Sequence, residues 1–389
     1  MRVRRCGLVT IEPTERLAFD LARLAAGGTG LYSIAEWMAA VPHADREVRL
    51  TMEQVIAVGR FSPTAWTDHD ALRETFSSPD ALADLIEKGP IVVEGSESDR
   101  RDRALRDAEW RGHAAVMHYT SRWRGVDTEA VQRQFVEHFE DDLLDRLGPA
   151  PPPVRERSSA AERIRLPKAE PSPLDRILDR RVTCRNFDAE AYLTREQFAA
   201  VLYRAYGARA VDHYAPGIDL LKKAVPSAGG LHPTEAYVLV RSVRGLAPGM
   251  YHYHPVEHAL EPIRTISPDE ALALAHRFVG AQSYLVGAQA FVIPASRFRR
   301  NFWKYRNHSK AYRALILDVG HLSQTMYLAA TELGLGAFIT AAVNEVDIEQ
   351  AFGLDPLEEG PLAVTGFGMR GAERNEIEFD PLNAVWPAS

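Results

Sequence analysis

PSAGGLHPTEAYV, Pro226–Val238, joins two signals in a short span. Ser227, Ala228, Gly229 and Gly230 carry little side-chain bulk, so the backbone there can lie close against a flat ligand, and glycine takes positive φ at low cost. Thr234–Val243, TEAYVLVRSV, then alternates apolar and polar residues as a half-buried strand does. The turn suits a ligand loop at the end of a sheet, and equally suits any connection into a strand. His232, before Pro233, reads as structural.

Working outward, LTREQFAAVLYRAYG (Leu193–Gly207) is a helix. Thr194 caps it, and Gln197 completes a capping box. GMYHYHPVEHALEPI (Gly249–Ile263) reads as a strand, turn and second strand. YRALILDVGHLSQTMYLAATELGLG (Tyr312–Gly336) is apolar nearly all round, which predicts a central buried helix. GPLAVTGFGMR (Gly360–Arg370) closes the core as a buried strand. Helical and strand signals thus alternate through this part of the chain.

Gly148–Pro173, GPAPPPVRERSSAAERIRLPKAEPSP, divides the chain. Its prolines resist helix and remove backbone donors, and the residues between them offer nothing to bury. The expected organisation is an N-terminal α+β domain over 1–147, a linker over 148–173 and a second domain over 174–389. In the first domain, RVRRCGLVTIE is compatible with a strand, and Arg16–Ala26 with an amphipathic helix ending at Gly27-Gly28. Ser78 can cap a helix through Lys88, which Gly89-Pro90 ends before a strand at Ile91–Glu94. That order fits the end of a winged-helix unit that docks a peptide or partner, or a plain α+β fragment. DRRDRALR (Asp99–Arg106) reads as a solvated helix face. WRGHAAVMHYTSRWRG (Trp110–Gly125) reads as an aromatic-rich helix. In it His113 and His118 are spaced for packing rather than for joint ligation.

The whole chain has 389 residues and a formal charge of -7, without the basic surplus of a nucleic-acid binder. Two cysteines, Cys6 and Cys184, cannot build a disulfide framework. With no signal-peptide pattern and no membrane-length apolar run, a cytoplasmic protein is expected.

Four segments carry candidate chemistry. DRRVTCRNFD (Asp179–Asp188) crowds Arg180, Arg181, Arg185 and Thr183 at a helix exit, and planar guanidinium groups suit phosphate. The Pro226–Pro233 loop is the second. NFWKYR (Asn301–Arg306) sets an ammonium, Lys304, beside a phenol, Tyr305, two groups able to give or take a proton. Gly334, Gly336, Gly366 and Gly368, with Arg370 following, suit a phosphate or ring edge, or ordinary tight turns. His252, His254 and His258 lie on or near one hairpin, and because His252 and His254 share a strand face, geometry alone leaves a metal site open.

Taken in order, RRVTCRNFD, PSAGGLHPTEAYV, GMYHYHPVEHAL, WKYR and LDVGHLSQTMYLAATELGLGA resemble the nitroreductase superfamily over roughly Pro173–Gly371. Within it the likeness is to the SagB-type dehydrogenases, also called McbC-like azoline oxidases. HAAVMHYTSRW, before the linker, is similar to the N-terminal part of that family. The resemblance implies an α+β fold with a mixed sheet flanked by helices, no metal at the histidine hairpin, and an FMN-dependent oxidoreductase in peptide maturation, converting azolines of a ribosomally made, modified precursor peptide to thiazoles or oxazoles. It implies a homodimer with FMN at the interface, and a cyclodehydratase or other maturation enzyme as partner.

Residue by residue, the resemblance gives Arg181, Thr183 and Arg185 the FMN phosphate, ribityl chain and N1/O2 edge. Val182 and Thr183 stand where a small hydroxyl residue commonly follows the arginines. It sets Pro226, Ser227, Ala228 and Gly230 against the ring, the Ala341 and Ala342 amides near N5, and Arg370 on the phosphate. Lys304 and Tyr305 match the family's catalytic acid/base pair. Two other readings stay open: an NAD(P)H-dependent reductase of small electrophiles or dehydroamino acids, and an inactive peptide-docking scaffold in a maturation complex.

Overall fold

The computed structural model describes residues 1–68, 79–131, 133, 148–306 and 308–387. The N-terminal body contains β1 (Arg2–Arg5), β2 (Thr10–Phe19), α1 (Leu21–Ala25), β3 (Leu31–Val41), β4 (Arg46–Leu50), α2 (Met52–Arg60), β5 (Thr67–Asp68), α3 (Pro79–Lys88), β6 (Ile91–Val93), α4 (Glu97–Asp107) and α5 (Gly112–Thr120). Two antiparallel three-stranded sheets result, β5-β1-β6 and the meander β2-β3-β4.

Several local expectations give way here. The helix expected over Arg16–Ala26 loses its first four residues, because Arg16–Phe19 belongs to β2, which pairs with β3 from Thr10–Ala40 to Phe19–Leu31. Only the stub α1 is helical, with Asp20 capping it through the Ala22 and Arg23 amides. Helix α3, turn and β6 follow as expected, while the Ser78 cap lies outside the described residues. The long β2–β3 hairpin precedes the helices, and β6 leads into α4. Among the described residues the order of elements therefore differs from that of a winged helix. The solvated reading of α4 fails for its acids. Asp99 and Asp102 are fully buried, where both take the buried guanidinium of Arg4. Two ions leave water at this cost only when paired this closely.

The second body contains α6 (Pro173–Arg180), α7 (Arg195–Ala205), β7 (Ala208–Ala215), β8 (Ile218–Lys223), β9 (Thr234–Val240), β10 (Gly249–His254), β11 (Ala259–Thr265), α8 (Pro268–Phe278), β12 (Ala290–Arg297), α9 (Phe298–Tyr305), α10 (Lys310–Glu332), β13 (Gly336–Thr340), α11 (Glu345–Phe352), β14 (Glu359–Pro361) and β15 (Val364–Gly368). The capping box at Thr194 and Gln197 forms as expected. The sheet runs β11-β10-β9-β12-β15-β13, with β14 added to β12. Its ladders are antiparallel, and the expected mixture comes down to isolated parallel bridges such as Thr183–Ala337.

The central strands are apolar on both faces, so period-two alternation sorts residues between two cores. Val238 and Val292 join α7 and α10 on one side, through Val201, Leu322 and Met326. Leu239 and Phe291 join α8 and α11 on the other, through Phe278 and Ile348. Each fully buried side chain of this kind contributes about 1.5–3 kcal/mol. Helix α10 is less enclosed than its sequence suggested. Leu315, Val319, Leu322 and Met326 are buried, but Ile316 and Leu317 remain 44% and 64% exposed. Among the described residues, neither joins a hydrophobic core.

The linker runs exposed and without strand or helix until Ser172 caps α6. The spatial boundary comes earlier. Trp110, Ala115 and Tyr119 share a core with Phe298, Phe302 and Tyr312. The Trp110 indole donates to the Leu357 carbonyl at 3.0 Å, and Arg122 pairs with both Asp45 and Glu349. His118 is buried and stacked on Trp110, with Nδ1 3.0 Å from the Tyr312 hydroxyl. Packing is its role.

Candidate functional site

Residues 181–186 leave α6 extended, and the cap on α6 is Arg181 itself. Alternate residues face opposite ways. Val182, Cys184 and Asn186 are buried, whereas Arg181, Thr183 and Arg185 are only partly so. The Cys184 amide donates to the Ala337 carbonyl at 2.8 Å, tying the segment to β13. Two guanidinium groups and a hydroxyl thus share one side. Thr183 Oγ1 lies 3.0 Å from Tyr327 Oη, which also accepts the Ile339 amide at 3.1 Å. Burial raises the Tyr327 phenol above its ordinary value, so it works here as a neutral hydrogen-bonding group. The Arg181 guanidinium lies over the Tyr327 ring, 5.4 Å from its centroid, and makes no side-chain hydrogen bond among the described residues. Arg185 lies over Tyr284 and donates to the Ile377 carbonyl.

The Pro226–Pro233 loop forms a tight turn at Ala228–Gly230, with Gly229 and Gly230 at φ 61° and 70°. Ser227 Oγ donates to the Asp318 carboxylate, and the Ala228 amide donates to the same carboxylate at 3.2 Å. Ser227 Oγ in turn accepts the His232 amide at 3.0 Å. Space beside Gly230 is open. A Cβ at Gly229 would lie 2.6 Å from Tyr305 Oη and 2.7 Å from Lys304 Nζ. Behind the turn Lys223 is buried, and burial pushes its ammonium down to about 8. Burial likewise pushes His232 down to about 4, with Lys223 and Arg300 adding to the effect.

Lys304 and Tyr305 end α9, whose buried Phe298, Asn301 and Phe302 anchor its inner face. Lys304 is exposed and Tyr305 half-buried. Lys304 Nζ donates to the Gly229 carbonyl at 3.4 Å. Lys304 lines a cleft of about 520 Å³ with Tyr214, Ile218, Leu220, Gly229, Leu231 and Trp303. Ile218, Leu231 and Trp303 also line a larger neighbouring cleft of about 1060 Å³.

Helix α10 connects the two clusters: Asp318 holds the turn and Tyr327 meets the arginine segment, nine residues on, roughly 13 Å along the axis. The remaining candidates divide. Ala341 and Ala342 directly follow β13, close to Ile339. Ala342 is engaged, its amide with Thr340 Oγ1 at 3.1 Å and its carbonyl with Gln282 Nε2 at 3.0 Å. Pro226 is exposed at the start of the turn. Arg370 is committed within the chain. It pairs with Glu378 at 2.6 Å and donates to the Val182 carbonyl at 3.1 Å.

Tyr327, Asp318 and Glu378 carry much of this arrangement without having been singled out. A lone acid at position 318 in an apolar helix was a usable signal; Glu378 offered none. Its buried carboxylate accepts the Arg185 and Asn186 amides, Asn186 Nδ2, Arg370 Nη1 and Trp386 Nε1. His252 sits between Glu235 and Glu261. No group of three metal-ligating side chains occurs among the described residues, and no described helix is long and apolar enough to cross a membrane.

The donor set fits FMN. Among the described residues Arg181 has a guanidinium without a hydrogen-bond partner, Thr183 and Arg185 share its side, and an open glycine turn stands at the other end of α10.

Residues 178–369 match the model of the nitroreductase family. A Methanocaldococcus jannaschii protein described as a nitroreductase is 30% identical over 207 residues, 53% of this chain and 96% of its own length. The trifolitoxin-processing protein TfxB of Rhizobium leguminosarum bv. trifolii is 36% identical over 162 residues, 41% of this chain and 43% of TfxB. The microcin B17-processing protein McbC of Escherichia coli is 27% identical over 159 residues, 40% of this chain and 57% of McbC. The match thus spans about half of each of these two processing proteins.

Proposed function

Because this chain belongs to the nitroreductase family, with McbC among its relatives, we propose that it is an FMN-dependent, SagB-type dehydrogenase of peptide maturation. Its substrate is a ribosomally synthesised, modified precursor peptide whose azoline rings it oxidises to azoles. The single observation that carries this reading is the contact of Lys304 and Tyr305 with the glycine turn.

Arg181, Thr183 and Arg185 would hold the phosphate, ribityl chain and N1/O2 edge of FMN. Pro226, Ser227, Ala228 and Gly230 would border its ring, with Ala341 and Ala342 flanking. Arg370, engaged with Glu378 and Val182, would act on the phosphate by bracing the arginine segment. Bound FMN would supply the two-electron acceptance that aromatising an azoline requires. The proton lost from the ring carbon needs a base within reach, and Lys304 as free amine or Tyr305 as phenolate provides one. Trp303, Ile218 and Leu231 continue from this cleft into the larger one, which supports a substrate longer than a single ring.

The uncovered Ile316 and Leu317 on α10 support a homodimer with the cofactor at its interface. The names of TfxB and McbC, as trifolitoxin- and microcin B17-processing proteins, support a processing role; in this reading a cyclodehydratase or another maturation enzyme is the partner, and the N-terminal body docks it or the peptide in the cytoplasm. Purified protein should be yellow and carry stoichiometric FMN, and should convert a thiazoline-bearing peptide to the thiazole with a loss of two mass units. Failure to take up FMN on reconstitution would remove the proposal.

A second reading, an NAD(P)H-dependent reductase of small electrophiles, has one observation in its favour. A match over 207 residues of this chain covers 96% of the M. jannaschii relative. Rapid reduction of bound flavin by NADPH without peptide would favour it.

A further inference from the structure

Asp318 is 5% exposed, on a helix whose neighbouring buried residues are Leu315, Val319 and Leu322. A carboxylate taken into such surroundings is costly unless hydrogen-bonded or paired. Burial does push Asp318 up from its ordinary range, against the bonds from Ser227 and Ala228. Among the described residues no cation lies within ion-pair distance of it. Its two donors both belong to the turn: Ser227 Oγ and the Ala228 amide. Ser227 Oγ also accepts the His232 amide, so one buried acid grips both ends of the segment 227–232.

Midway along that segment is Gly229. Its carbonyl is 3.4 Å from Lys304 Nζ, and it has no room for a Cβ against Lys304 and Tyr305. A shift of the turn is therefore a shift of the surface on which the amine rests.

We propose that Asp318 is a positioning residue for the Lys304–Tyr305 pair. Acting through the Ser227–His232 turn, it fixes the Gly229 carbonyl against the Lys304 ammonium and sets how that amine meets the substrate. The proposal rests on the catalytic reading of Lys304 given above, but its test does not require turnover.

The full chain as purified, wild type and Asp318→Ala, is labelled with limiting acetic anhydride. Acetylation of Lys304 is then measured by mass spectrometry against Lys310 as internal reference. Loss of the grip releases Lys304 from its carbonyl acceptor, and the neutral amine is the form that reacts. The Lys304/Lys310 ratio should rise about threefold. Hydrogen exchange across 226–232 should rise about tenfold as the turn loosens. With a thiazoline-bearing peptide, kcat should fall about tenfold while KM stays within about a factor of two. Asp318→Asn, which keeps an acceptor for the Ala228 amide, should be intermediate. Should Asp318→Ala fail to fold, Ser227→Ala removes the same bridge from the loop side and carries the same readouts.

An unchanged labelling ratio with unchanged exchange would overturn the proposal. So would a fall in kcat/KM carried wholly by KM. A wild-type protein inert towards azolines would instead sink the oxidation reading, and the labelling ratio would still decide the role of Asp318.

Discussion

The two ends of α10 hold their partners in different ways. At the Tyr327 end the arginine segment is gripped from several directions. The Ala337 carbonyl takes the Cys184 amide, Tyr327 meets Thr183, and the buried Glu378 gathers the Arg185 and Asn186 amides with Arg370 and Trp386. At the Asp318 end a short glycine turn is held by one carboxylate and by Arg300, which donates to the Leu231 carbonyl at 3.1 Å, and Lys304 stands exposed over it. Over-determined contacts suit the retention of a cofactor, where position must survive many turnovers. A lightly held turn suits the end that admits and releases substrate, because small rearrangements there cost little.

The sharpest way to break this contrast is Lys304→Ala. If the exposed end carries the chemistry, turnover of a thiazoline peptide should drop about 10²–10⁴-fold, the usual worth of a positioned acid or base. FMN content, read from absorbance, should stay as in wild type, because the arginine segment is untouched. Loss of flavin together with activity would show that the ends are not separable.

Glu378→Ala tests the other end. It leaves Arg370, with a side chain only 16% exposed, without its counter-ion. Removing one member of a buried pair costs about 3–5 kcal/mol, which denaturant titration would read as a lowered midpoint, with weakened FMN retention alongside. The same carboxylate predicts an acid response. Burial pushes Glu378 upward, but bonds from Trp386 and the Arg185 amide, with the charge of Arg370, hold it below its ordinary 4.5. A depressed folded value means that its contribution is present above about pH 4.5 and is lost as pH falls through that lower value. Wild type should therefore lose more stability than Glu378→Ala on acidification below about pH 4.5. Parallel losses would contradict the assignment.

Gly229→Ala should act more mildly. Positive φ costs an L-residue roughly 1–2 kcal/mol, and the added methyl meets only the mobile ends of Lys304 and Tyr305. Those ends can move aside, so the fold should survive. Turnover should fall about tenfold, because a small misplacement of reacting groups is enough. Activity equal to wild type would mean that the turn does not position the pair.

Which parts were legible beforehand follows from the range of the forces involved. The Thr194 capping box and the Gly249–Ile263 hairpin depend on residues a few positions apart, and they appear where expected. The arginine segment, the glycine turn and the Lys-Tyr pair were recognisable because each is compact in sequence. Arg16–Phe19 was misread as helix because the ten residue pairs of β2 with β3 outweigh a local helical pattern. Asp99 and Asp102 looked solvated because Arg4, which draws them inside, lies about a hundred positions earlier. A separation of 193 positions hid Glu378 from Arg185 in the segment it secures, and nothing near position 378 announced a buried acid.

Cys184 gives the smallest effect and a direct view of closure. It lies between Thr183 and Arg185 but faces inward, where a Cβ on Gly336 would sit 2.5 Å from its sulfur. Burial pushes its thiol up to about 12 despite the nearby charge of Arg370. At pH 8 the reactive thiolate is then about one part in ten thousand. Native protein should leave Cys184 unmodified by iodoacetamide over a period in which exposed Lys304 is readily acetylated, and unfolding in urea should remove the difference. Alkylation of native Cys184 at the rate of a free thiol would mean that the segment between the arginines opens on its own. The anchoring end would then be as loosely held as the reacting one, and the division of labour along α10 would fail.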